Sequence, residues 1–311
     1  MSAPVTARVA AKVNLQLAVG GLRPDGFHDL ATVFLAVDLH DEVTATPADT
    51  LRLTAEGPEA DQIPLDGDNL AARAATLLAE RHGVAPLVHL HIDKAIPVAG
   101  GMAGGSADAA AALVACDALW GTGADRAELL ELSAELGSDV PFSLVGGAAI
   151  GRSRGEDLTP VPVGADLHFV FAVADAGLST PAVFRECDRL RAESGGGVTT
   201  LEVPDPEPSP RLLAALADGD VTALAAALAG ANDLQPAAVS LRPALAATLD
   251  AGTGAGALAA LVSGSGPTTA FLAADAGHAE RIAAALRGSG TCRAAHVARG
   301  PVAGATRVAR R

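Results

Sequence analysis

The order of apolar and polar residues along the chain first predicts a set of strands. Arg8–Leu17 is mostly apolar, and the nearly continuous apolar runs Ala31–Leu39 and Leu167–Val173 are typical of buried strands. Val88–Ile92 alternates between apolar residues and histidines, which predicts a strand with one buried face. Ala270–Ala273 is a further short apolar run behind a glycine-rich turn. These segments are expected to form the sheets of the protein.

Other segments have the composition and spacing of helices. Asn69–Gly83 is rich in Ala and Leu, with Asp68 as its expected N-cap. Ala107–Leu119 is an Ala-rich helix directly after a glycine-rich loop, and Arg126–Leu136 ends at Gly137, a natural C-cap. Strands and helices mix without strict alternation, so the sequence predicts an α+β fold.

The length of the chain predicts two domains, because 311 residues at roughly 150 residues per domain make two. Hydrophobic residues are 50% and charged residues 19% of the chain, which excludes disorder for most of it. The stretch Glu193–Pro210 is rich in Gly, Pro and acidic residues and is the best candidate for a loop or linker. The last residues carry Arg307, Arg310 and Arg311 and are expected to form a frayed basic tail.

The net charge of −14 narrows the range of expected partners. An acidic chain binds nucleic acid and anionic membranes poorly, and the low aromatic content of 3%, without any Tyr, argues against a base-stacking surface. Cys116, Cys187 and Cys292 are far apart and fit no zinc or disulfide pattern, and no signal peptide or long apolar run is present. We therefore expect a cytoplasmic monomer or homodimer with no nucleic-acid or membrane partner.

The strongest chemical signal is the segment PVAGGMAGGSA at residues 97–107. Its four glycines lie between a strand and a helix, and glycine lets the backbone approach a ligand closely. Ser106 is expected at the helix start, where unpaired N–H groups and the helix dipole favour an anion. The spacing fits neither a Walker A loop nor a dinucleotide fingerprint. The segment predicts a phosphate-binding loop, and the alternative is a flexible loop before a capped helix.

Only two of the 22 basic residues are lysines, and both lie near this predicted phosphate chemistry. Lys12 interrupts an apolar strand, and Lys94 stands just before the glycine loop, where we expect it to reach nucleotide phosphates as a point charge. The alternative for each lysine is a solvated strand position. Asp139, in LGSDVPF, is either an exposed turn residue or a carboxylate at the edge of a buried region, which can act as a base toward a substrate hydroxyl.

Two further turns are candidates for ligand contact. The Pro-Asp-Gly turn at 24–26 is followed by Phe27 and His28, which are suited to stacking on a base and hydrogen bonding to it, unless Phe27 packs into the core. SGSGPT at 263–268 is a glycine-rich turn ahead of a strand and is weak evidence by itself. The chain has no GxSxG elbow and no HExxH spacing, so neither a hydrolase nucleophile nor a set of metal ligands is predicted.

Together these segments resemble the GHMP kinase family. The glycine loop resembles that family's ATP-phosphate motif, and SGSGPT resembles its C-terminal glycine motif. AKVNLQL, RPDGFHDLATVFLAVDLHDEV, LGSDVPF, SRGEDLTPV, LSTPAVF and NDLQPA also occur in the expected order, from about residue 8 to about residue 275, and resemble a branch whose substrate carries a cytidine diphosphate group. The resemblance implies two domains, residues 1–160 for ATP and 161–311 on the substrate side, with the active site in the cleft between them.

The resemblance also implies ATP and Mg²⁺ as cofactors and a role for individual residues. Asp139 matches the catalytic Asp that orients the substrate hydroxyl, and Lys12 matches the Lys that supports it. The residues expected to bind ATP are Lys94, Pro97, Val98, Ala99, Gly100, Gly101, Met102, Ala103, Gly104, Gly105, Ser106 and Ala107. Those expected on the substrate side are Asn14, Phe27, His28, Thr180 and Phe184, where His28 hydrogen-bonds a cytosine stacked between Phe27 and Phe184.

One position departs from the family pattern. The family commonly has Tyr where this chain has Phe27, so stacking on the base is kept while any hydroxyl contact is lost. Two alternatives remain open: a kinase of the same fold with a substrate such as mevalonate or homoserine, and a nucleotide-binding module without catalysis. The segments RPDGFH and LSTPAVF argue against the first, and the presence of both Lys12 and Asp139 argues against the second.

Overall fold

The computed structural model describes residues 3–98, 100–194 and 203–309, and these form two sheets with helices packed against them, which confirms the predicted α+β fold. The strands of the first sheet are β1 (Val5–Leu22), β2 (His28–Pro47), β3 (Arg52–Glu56), β4 (Val88–Asp93), β5 (Ala148–Arg152), β6 (Asp157–Pro160) and β11 (Thr306–Arg307). Those of the second are β7 (Leu167–Val173), β8 (Ala259–Val262), β9 (Thr269–Ala273) and β10 (Ala294–Gly300), in the order β10-β7-β9-β8.

Helices pack against both sheets. They are α1 (Leu70–His82), α2 (Gly104–Trp120), α3 (Arg126–Leu136), α4 (Val140–Val145), α5 (Thr180–Ser194), α6 (Pro210–Asp218), α7 (Val221–Leu228), α8 (Gln235–Leu241), α9 (Ala244–Gly254) and α10 (Ala276–Ser289). A short 3₁₀ turn covers Ala60–Gln62. Within the described ranges, no helix combines the length and apolar character needed to cross a membrane.

The long antiparallel pair of β1 and β2 carries one wall of the site. Successive side chains of a strand point to opposite faces, and in β1 Val13 and Leu15 are fully buried in the main core. Lys12 and Asn14 lie on the other face, where their side chains hydrogen-bond to each other. The apolar run predicted at Ala31–Leu39 is the centre of β2, so both strands exist and are longer than the sequence pattern indicated.

α2 is an alanine-rich helix that packs closely against both β1 and β2. Small side chains let the helix approach the sheet, and Ala109, Ala110, Ala111 and Ala112 are fully buried there. This close approach brings the helix N-terminus, and the glycine-rich loop before it, next to the polar face of β1. The predicted helix is therefore confirmed, and it starts earlier than the sequence suggested, at Gly104.

One predicted helix end and the predicted tail need correction. The N-cap of α1 is Asn69 rather than Asp68, because the Asn69 side chain accepts a hydrogen bond from Ala71 N at 2.8 Å. Gly137 does end α3, as predicted. The chain end is not frayed at Arg307, which pairs with Ala7 of β1 in strand β11.

The structure describes only part of the predicted linker, Glu193–Pro210. α5 extends to Ser194 and α6 begins at Pro210, while residues 195–202 of the linker, like Arg310 and Arg311 of the tail, lie outside the described residues. β11 joins the first sheet although it comes from the end of the chain. The division at residue 160 stays a prediction.

Candidate active site

A cleft of about 420 Å³ opens where β1, β2, the glycine-rich loop and the loops of the second half of the chain meet. It is bordered by eleven of the residues predicted from the sequence: Lys12, Asn14, Gly100, Gly101, Ala103, Gly104, Gly105, Ser106, Asp139, Thr180 and Phe184. Residues that lie far apart in the sequence therefore share one concave site, which is where enzymes of mixed fold usually place their chemistry.

Lys12 is a buried cation at the base of this cleft. Only 5% of the residue is exposed, and its Nζ donates to Asn14 Oδ1 at 2.6 Å and to the carbonyl of Gly101 at 3.1 Å. The Phe34 ring centroid lies 5.7 Å from the same atom. The backbone N–H of Lys12 donates to Met102 O at 3.3 Å, so strand β1 is joined directly to the glycine loop. The ammonium is thus fixed in position by neutral partners.

The charged partner of Lys12 is Asp139, at the N-terminal end of α4. Asp139 Oδ2 lies 3.7 Å from Lys12 Nζ, and the side chain is 32% exposed toward the cleft. Its backbone carbonyl accepts from Ser143 N at 3.1 Å, whereas its side chain makes no capping hydrogen bond. The carboxylate therefore combines an anchored backbone with oxygens available to a ligand, beside a fixed cation.

The glycine loop wraps the N-terminus of α2 and leaves its first turn open to the cleft. Ala103 precedes the helix in the left-handed conformation, with φ of 60°, and provides no side-chain cap. Gly101, with φ of 73°, lies so close to the carbonyl of Ser263 that a Cβ would meet this oxygen at 2.3 Å, so only glycine fits here. Ser106, predicted at the helix start, lies instead in the first turn, because the helix begins two residues earlier.

The second glycine-rich turn, SGSGPT, packs against the glycine loop from the other half of the chain. Ser263 Oγ donates to Gly101 O at 3.1 Å, and Thr268 N donates to Gly100 O at 3.3 Å. Gly264, Ser265 and Gly266 also border the cleft. The two glycine segments thus support each other's backbone and form adjacent walls of one site.

The residues around the glycine loop fit a nucleoside triphosphate. Unpaired N–H groups at the start of a long helix, together with a buried ammonium, favour phosphate oxygens. A second cavity of about 270 Å³ shares Gly105 and Leu70 with the cleft and is bordered by Ile63, Pro64 and Asn69. Phosphates on the loop would therefore have room for an attached nucleoside on the side away from Lys12. Within the described residues, no group of three or more His, Cys, Asp or Glu side chains is arranged to hold a metal ion.

Lys94 borders the second cavity, but the contacts of its ammonium argue against the prediction that it reaches phosphates. Lys94 is 2% exposed, and its Nζ donates to Asp41 Oδ2 and, at 2.9 Å, to Asp108 Oδ2. Burial by itself would lower the pKa of Lys94, but Asp108 and Asp41 outweigh it and hold this pKa above its usual value. The ammonium is therefore committed to two buried carboxylates. It supports the loop from below, since Asp41 Oδ1 also accepts from the N–H groups of Ala95 and Ile96.

The remaining predicted ATP residues differ in access. Met102 and Ala107 are fully buried and contribute backbone and packing rather than exposed side chains. Val98 borders the second cavity, and its N–H donates to Glu59 Oε2 at 2.9 Å. Pro97 does not border either cavity. Ala99 lies outside the described residues.

Of the three predicted base-binding residues, Phe184 borders the cleft. His28 and Phe27 do not border it and instead contact two residues that do, Phe184 and Arg154. The His28 ring stacks on Phe184 at 5.1 Å between centroids, and its Nε2 is 3.0 Å from Asp188 Oδ1. Phe27 is 51% exposed and has the Arg154 guanidinium 5.3 Å from its ring centroid. One face of each aromatic ring is thus already covered by a protein group, and a base would stack on the faces that remain.

The two remaining substrate-side predictions are polar residues on opposite walls. Asn14 Nδ2 donates to Thr32 Oγ1 at 2.8 Å, while its Oδ1 is held by Lys12. Thr180 Oγ1 lies 2.9 Å from Ser265 Oγ, at the N-terminal end of α5. Both side chains border the cleft, so each is within reach of a ligand lying in it.

Sequence reasoning missed several residues that border the cleft, among them Thr32, Phe34, Ser138 and Arg154. Thr32 lies inside an apolar run and gave no sign of a site. Ser138 and Arg154 stand in segments that carried the family resemblance, LGSDVPF and SRGEDLTPV, so a residue-by-residue reading of those segments would have found them. Asp188 is a further omission, because only the folded chain brings it to His28, 160 positions away.

Comparisons with known proteins agree with this geometry. The family models described as GHMP kinases N terminal domain and GHMP kinases C terminal match residues 69–147 and 212–291. A protein of Streptomyces avermitilis named 4-diphosphocytidyl-2-C-methyl-D-erythritol kinase is 69% identical over 97% of this chain and 99% of its own length. A protein of Thermobifida fusca with the same name is 58% identical over 98% of this chain and 99% of its own length.

Solved structures give the same result at the level of the fold. A crystal structure of 4-(cytidine 5'-diphospho)-2C-methyl-D-erythritol kinase is 32% identical to the chain, with a TM-score of 0.73, and covers 94% of this chain and 98% of that one. A mevalonate kinase of L. major is only 15% identical with a TM-score of 0.72, over 97% of this chain and all of that one, and so supports the fold alone. The chain belongs to the GHMP kinases and, within them, to the family of 4-diphosphocytidyl-2-C-methyl-D-erythritol kinases.

Proposed function

We propose that the chain transfers the γ-phosphate of ATP to the 2-hydroxyl of 4-diphosphocytidyl-2-C-methyl-D-erythritol, a step of isoprenoid precursor synthesis by the non-mevalonate pathway. The observation that carries the proposal is the distance of 3.7 Å between Lys12 Nζ and Asp139 Oδ2 beside an open helix N-terminus. The substrate follows from the names of relatives that are 58–69% identical over nearly the whole chain.

Asp139 and Lys12 form the proposed catalytic pair, in which Asp139 accepts a proton and Lys12 stabilises negative charge. In phosphoryl transfer the attacking hydroxyl oxygen bonds to the γ-phosphorus, the bond to the leaving ADP oxygen breaks, and the hydroxyl proton must leave. Asp139, whose side chain makes no capping hydrogen bond, orients the hydroxyl and accepts this proton. Lys12 is fixed by Asn14 and Gly101 and stabilises the negative charge that builds up on the transferred group.

The glycine loop supplies the other half of the mechanism, which is positioning of the phosphates. Its N–H groups at the start of α2 bind phosphate oxygens without the reorganisation that water would require. Mg²⁺, when bound with ATP, would neutralise phosphate charge, and the Ser106 hydroxyl, which borders the cleft in the first turn of α2, would be one of the oxygens that hold it.

The proposed substrate also fits the shape of the cleft. Lys12 and Asp139 border the cleft next to the loop, and Phe184, which stacks on His28, borders the same cleft. A molecule with a base at one end and a hydroxyl at the other can therefore place its hydroxyl at Asp139 while its base stacks on an aromatic ring. Such two-ended binding supplies the orientation that raises the rate of phosphoryl transfer.

A substrate comparison tests the activity directly. Wild-type protein with ATP and Mg²⁺ is given the cytidylated methylerythritol, mevalonate or homoserine in parallel, and ADP release is measured together with the phosphorylated product. We expect turnover with the first substrate only. Turnover of mevalonate or homoserine without turnover of the cytidylated compound would overturn the proposed substrate and leave the kinase fold in place.

A matched pair of variants tests the catalytic assignment. Asp139→Asn removes the proton acceptor with little change of shape, and we expect kcat to fall at least about a thousandfold while ATP still binds. Asp157→Asn changes an exposed aspartate of β6 away from the cleft and serves as the control. Wild-type turnover by Asp139→Asn would show that Asp139 is not the acceptor.

A further inference from the structure

We propose that Arg154 binds the diphosphate of the cytidylated substrate, an inference that rests on the proposed function and adds a substrate residue to it. Among the described residues that border the cleft, Lys12 and Arg154 are the two with cationic side chains. Lys12 belongs to the catalytic pair, which leaves Arg154 as the cation for the substrate's own phosphates. A chain with a net charge of −14 needs such a local cation to hold a second polyanion beside ATP.

The sheet places Arg154 at the edge of the cleft, beside Phe27, which is predicted to bind the base. Strand β5 pairs with β2 so that Gly151 lies opposite Thr32, and the carbonyl of Ser153 accepts from Leu30 N at 2.7 Å. Both Thr32 and Leu30 border the cleft. Arg154 follows directly, and its guanidinium lies 5.3 Å from the centroid of the Phe27 ring. The cation is thus adjacent to the aromatic group proposed to stack on cytosine.

The hydrogen bonds of Arg154 leave its outer edge available. Its Nε donates to Glu156 Oε1 at 3.2 Å, and its backbone N–H donates to Glu156 Oε2 at 2.9 Å. Within the described part of the chain, neither terminal guanidinium nitrogen hydrogen-bonds to a protein acceptor, and the side chain is 38% exposed. Glu156 therefore orients the planar group while two parallel donors remain, which is the geometry that matches a phosphate bidentately.

The order of chemical groups along the substrate indicates which group Arg154 contacts. In a cytidine diphosphate derivative the phosphates lie between the base and the group that carries the reacting hydroxyl. Base contacts at Phe27 and His28 and hydroxyl contacts at Asp139 thus require the phosphates to cross the intervening part of the cleft. Arg154 contacts Phe27 and borders this cleft, so it meets the phosphates next to the base.

The test compares two ligands on three proteins by isothermal titration calorimetry. Cytidine and cytidine 5'-diphosphate are each titrated into wild type, Arg154→Gln and Arg152→Gln. Arg152 is the control because it lies two residues away and pairs with Glu207 instead of bordering the cleft. We expect Arg154→Gln to bind cytidine 5'-diphosphate about tenfold to a hundredfold more weakly and cytidine less than about threefold more weakly. Arg152→Gln should match wild type with both ligands.

Two outcomes would overturn the assignment. An equal loss of affinity for cytidine and cytidine 5'-diphosphate would mean that Arg154 acts only by holding Phe27. Unchanged affinity for both ligands would mean that it contacts neither. Arg154→Lys keeps a point charge without the planar fork and should recover part of the lost diphosphate affinity, which would exclude a general disturbance of the turn.

The same experiment separates this inference from the proposed function. A wild-type protein that binds cytidine 5'-diphosphate more tightly than cytidine through Arg154, yet does not phosphorylate the cytidylated methylerythritol, would contradict the activity and support the phosphate site. Turnover of that substrate with the same KM in Arg154→Gln as in wild type would support the activity and overturn the phosphate site. In steady-state assays we expect the KM for this substrate to rise while the KM for ATP stays unchanged.

Discussion

The only two lysines of the chain lie on either side of the glycine loop, and both are buried, yet their surroundings are opposite in kind. Lys12 is held by an amide oxygen and a carbonyl, and its one carboxylate neighbour, Asp139, is 3.7 Å away and partly exposed. Lys94 is in direct contact with two carboxylates, both of them buried. The first ammonium keeps capacity for a ligand, and the second does not.

This difference shows that burial alone does not make a lysine catalytic. A buried ammonium that is fully paired stabilises a fold, whereas one whose neutral partners leave its charge uncompensated attracts an incoming anion. The glycine loop depends on both types, since Met102 accepts from the backbone of Lys12 on one side and Asp41 holds the approach to the loop on the other. Variants of each lysine should therefore have effects of different kinds.

The largest expected effect is on catalysis, from Lys12→Met. This change removes the cation beside Asp139 while keeping a side chain of similar length, and we expect kcat to fall at least about a thousandfold, equivalent to about 4 kcal/mol. The thermal midpoint of unfolding should change little, because no buried carboxylate in direct contact with Lys12 would lose its cation. Steady-state kinetics and thermal unfolding measured on the same preparation check both statements, and wild-type kcat in Lys12→Met would remove the distinction between the two lysines.

The next effect is on stability, from Lys94→Met. Removing this ammonium leaves Asp41 and Asp108 buried without their cation, and we expect the free energy of unfolding to fall by on the order of 3 kcal/mol. Adding Asp108→Asn to Lys94→Met replaces one of the two abandoned carboxyl groups by an amide that cannot ionise, and it should recover part of the loss. Urea unfolding of the three proteins measures this, and a Lys94→Met protein as stable as wild type would show that the ion pairs contribute nothing.

The local sequence predicted a functional role for both lysines, and the folded chain gives them different partners for a definite reason. Lys12 and Asp139 stand in short segments that resemble motifs of the GHMP kinases, and the fold brings their side chains together. Lys94 stands before the glycine loop, and that position alone indicated a phosphate contact. Its actual partners are 53 residues earlier and 14 residues later, and only the pairing of β2 with β4 brings Asp41 beneath the loop.

The same contrast holds for the rest of the fold and site. Apolar runs and alanine-rich stretches were sufficient to predict β2, β7, α2 and α3, because the hydrophobic pattern of each is local. The position of Arg154 beside Phe27 depends instead on the register between β5 and β2, which no local pattern encodes. Elements were thus predictable where one segment determines them, and contacts were not where two distant segments do.

The buried carboxylates around Lys94 should also make the stability of the protein depend on pH. Burial raises the pKa of Asp108 from 3.8 to about 7, although Lys94 opposes the shift and Asp41 adds to it. The folded chain therefore binds a proton that the unfolded chain has released, so the contribution of Asp108 to stability is lost as the pH rises from 3.8 toward about 7.

Asp108→Asn should remove that dependence. Between about pH 5 and about pH 8, we expect the free energy of unfolding of wild type to fall by about 2–3 kcal/mol relative to Asp108→Asn. Urea unfolding at several pH values measures the difference between the two proteins. If the free energies of unfolding of the two proteins change in parallel with pH over this range, Asp108 is ionised throughout and forms a simple ion pair with Lys94.

The smallest effect tests how rigidly the Lys94 ion pairs are held, and it comes from two neighbouring glycines of α2. A Cβ on Gly104 would lie 2.8 Å from Lys94 Nζ and 3.3 Å from Ile96 Cγ2, whereas a Cβ on Gly105 would meet only Leu70 Cδ1, at 3.7 Å. Alanine favours a helix over glycine by about 1 kcal/mol, so Gly105→Ala should stabilise the chain. Gly104→Ala should instead lower the free energy of unfolding by about 1 kcal/mol, because the ammonium must shift away from Asp41 and Asp108. Urea unfolding without ligand compares the two variants. If Gly104→Ala is as stable as Gly105→Ala, the Lys94 ammonium moves freely within its carboxylates, and the two lysines differ in their partners but not in how firmly they are held.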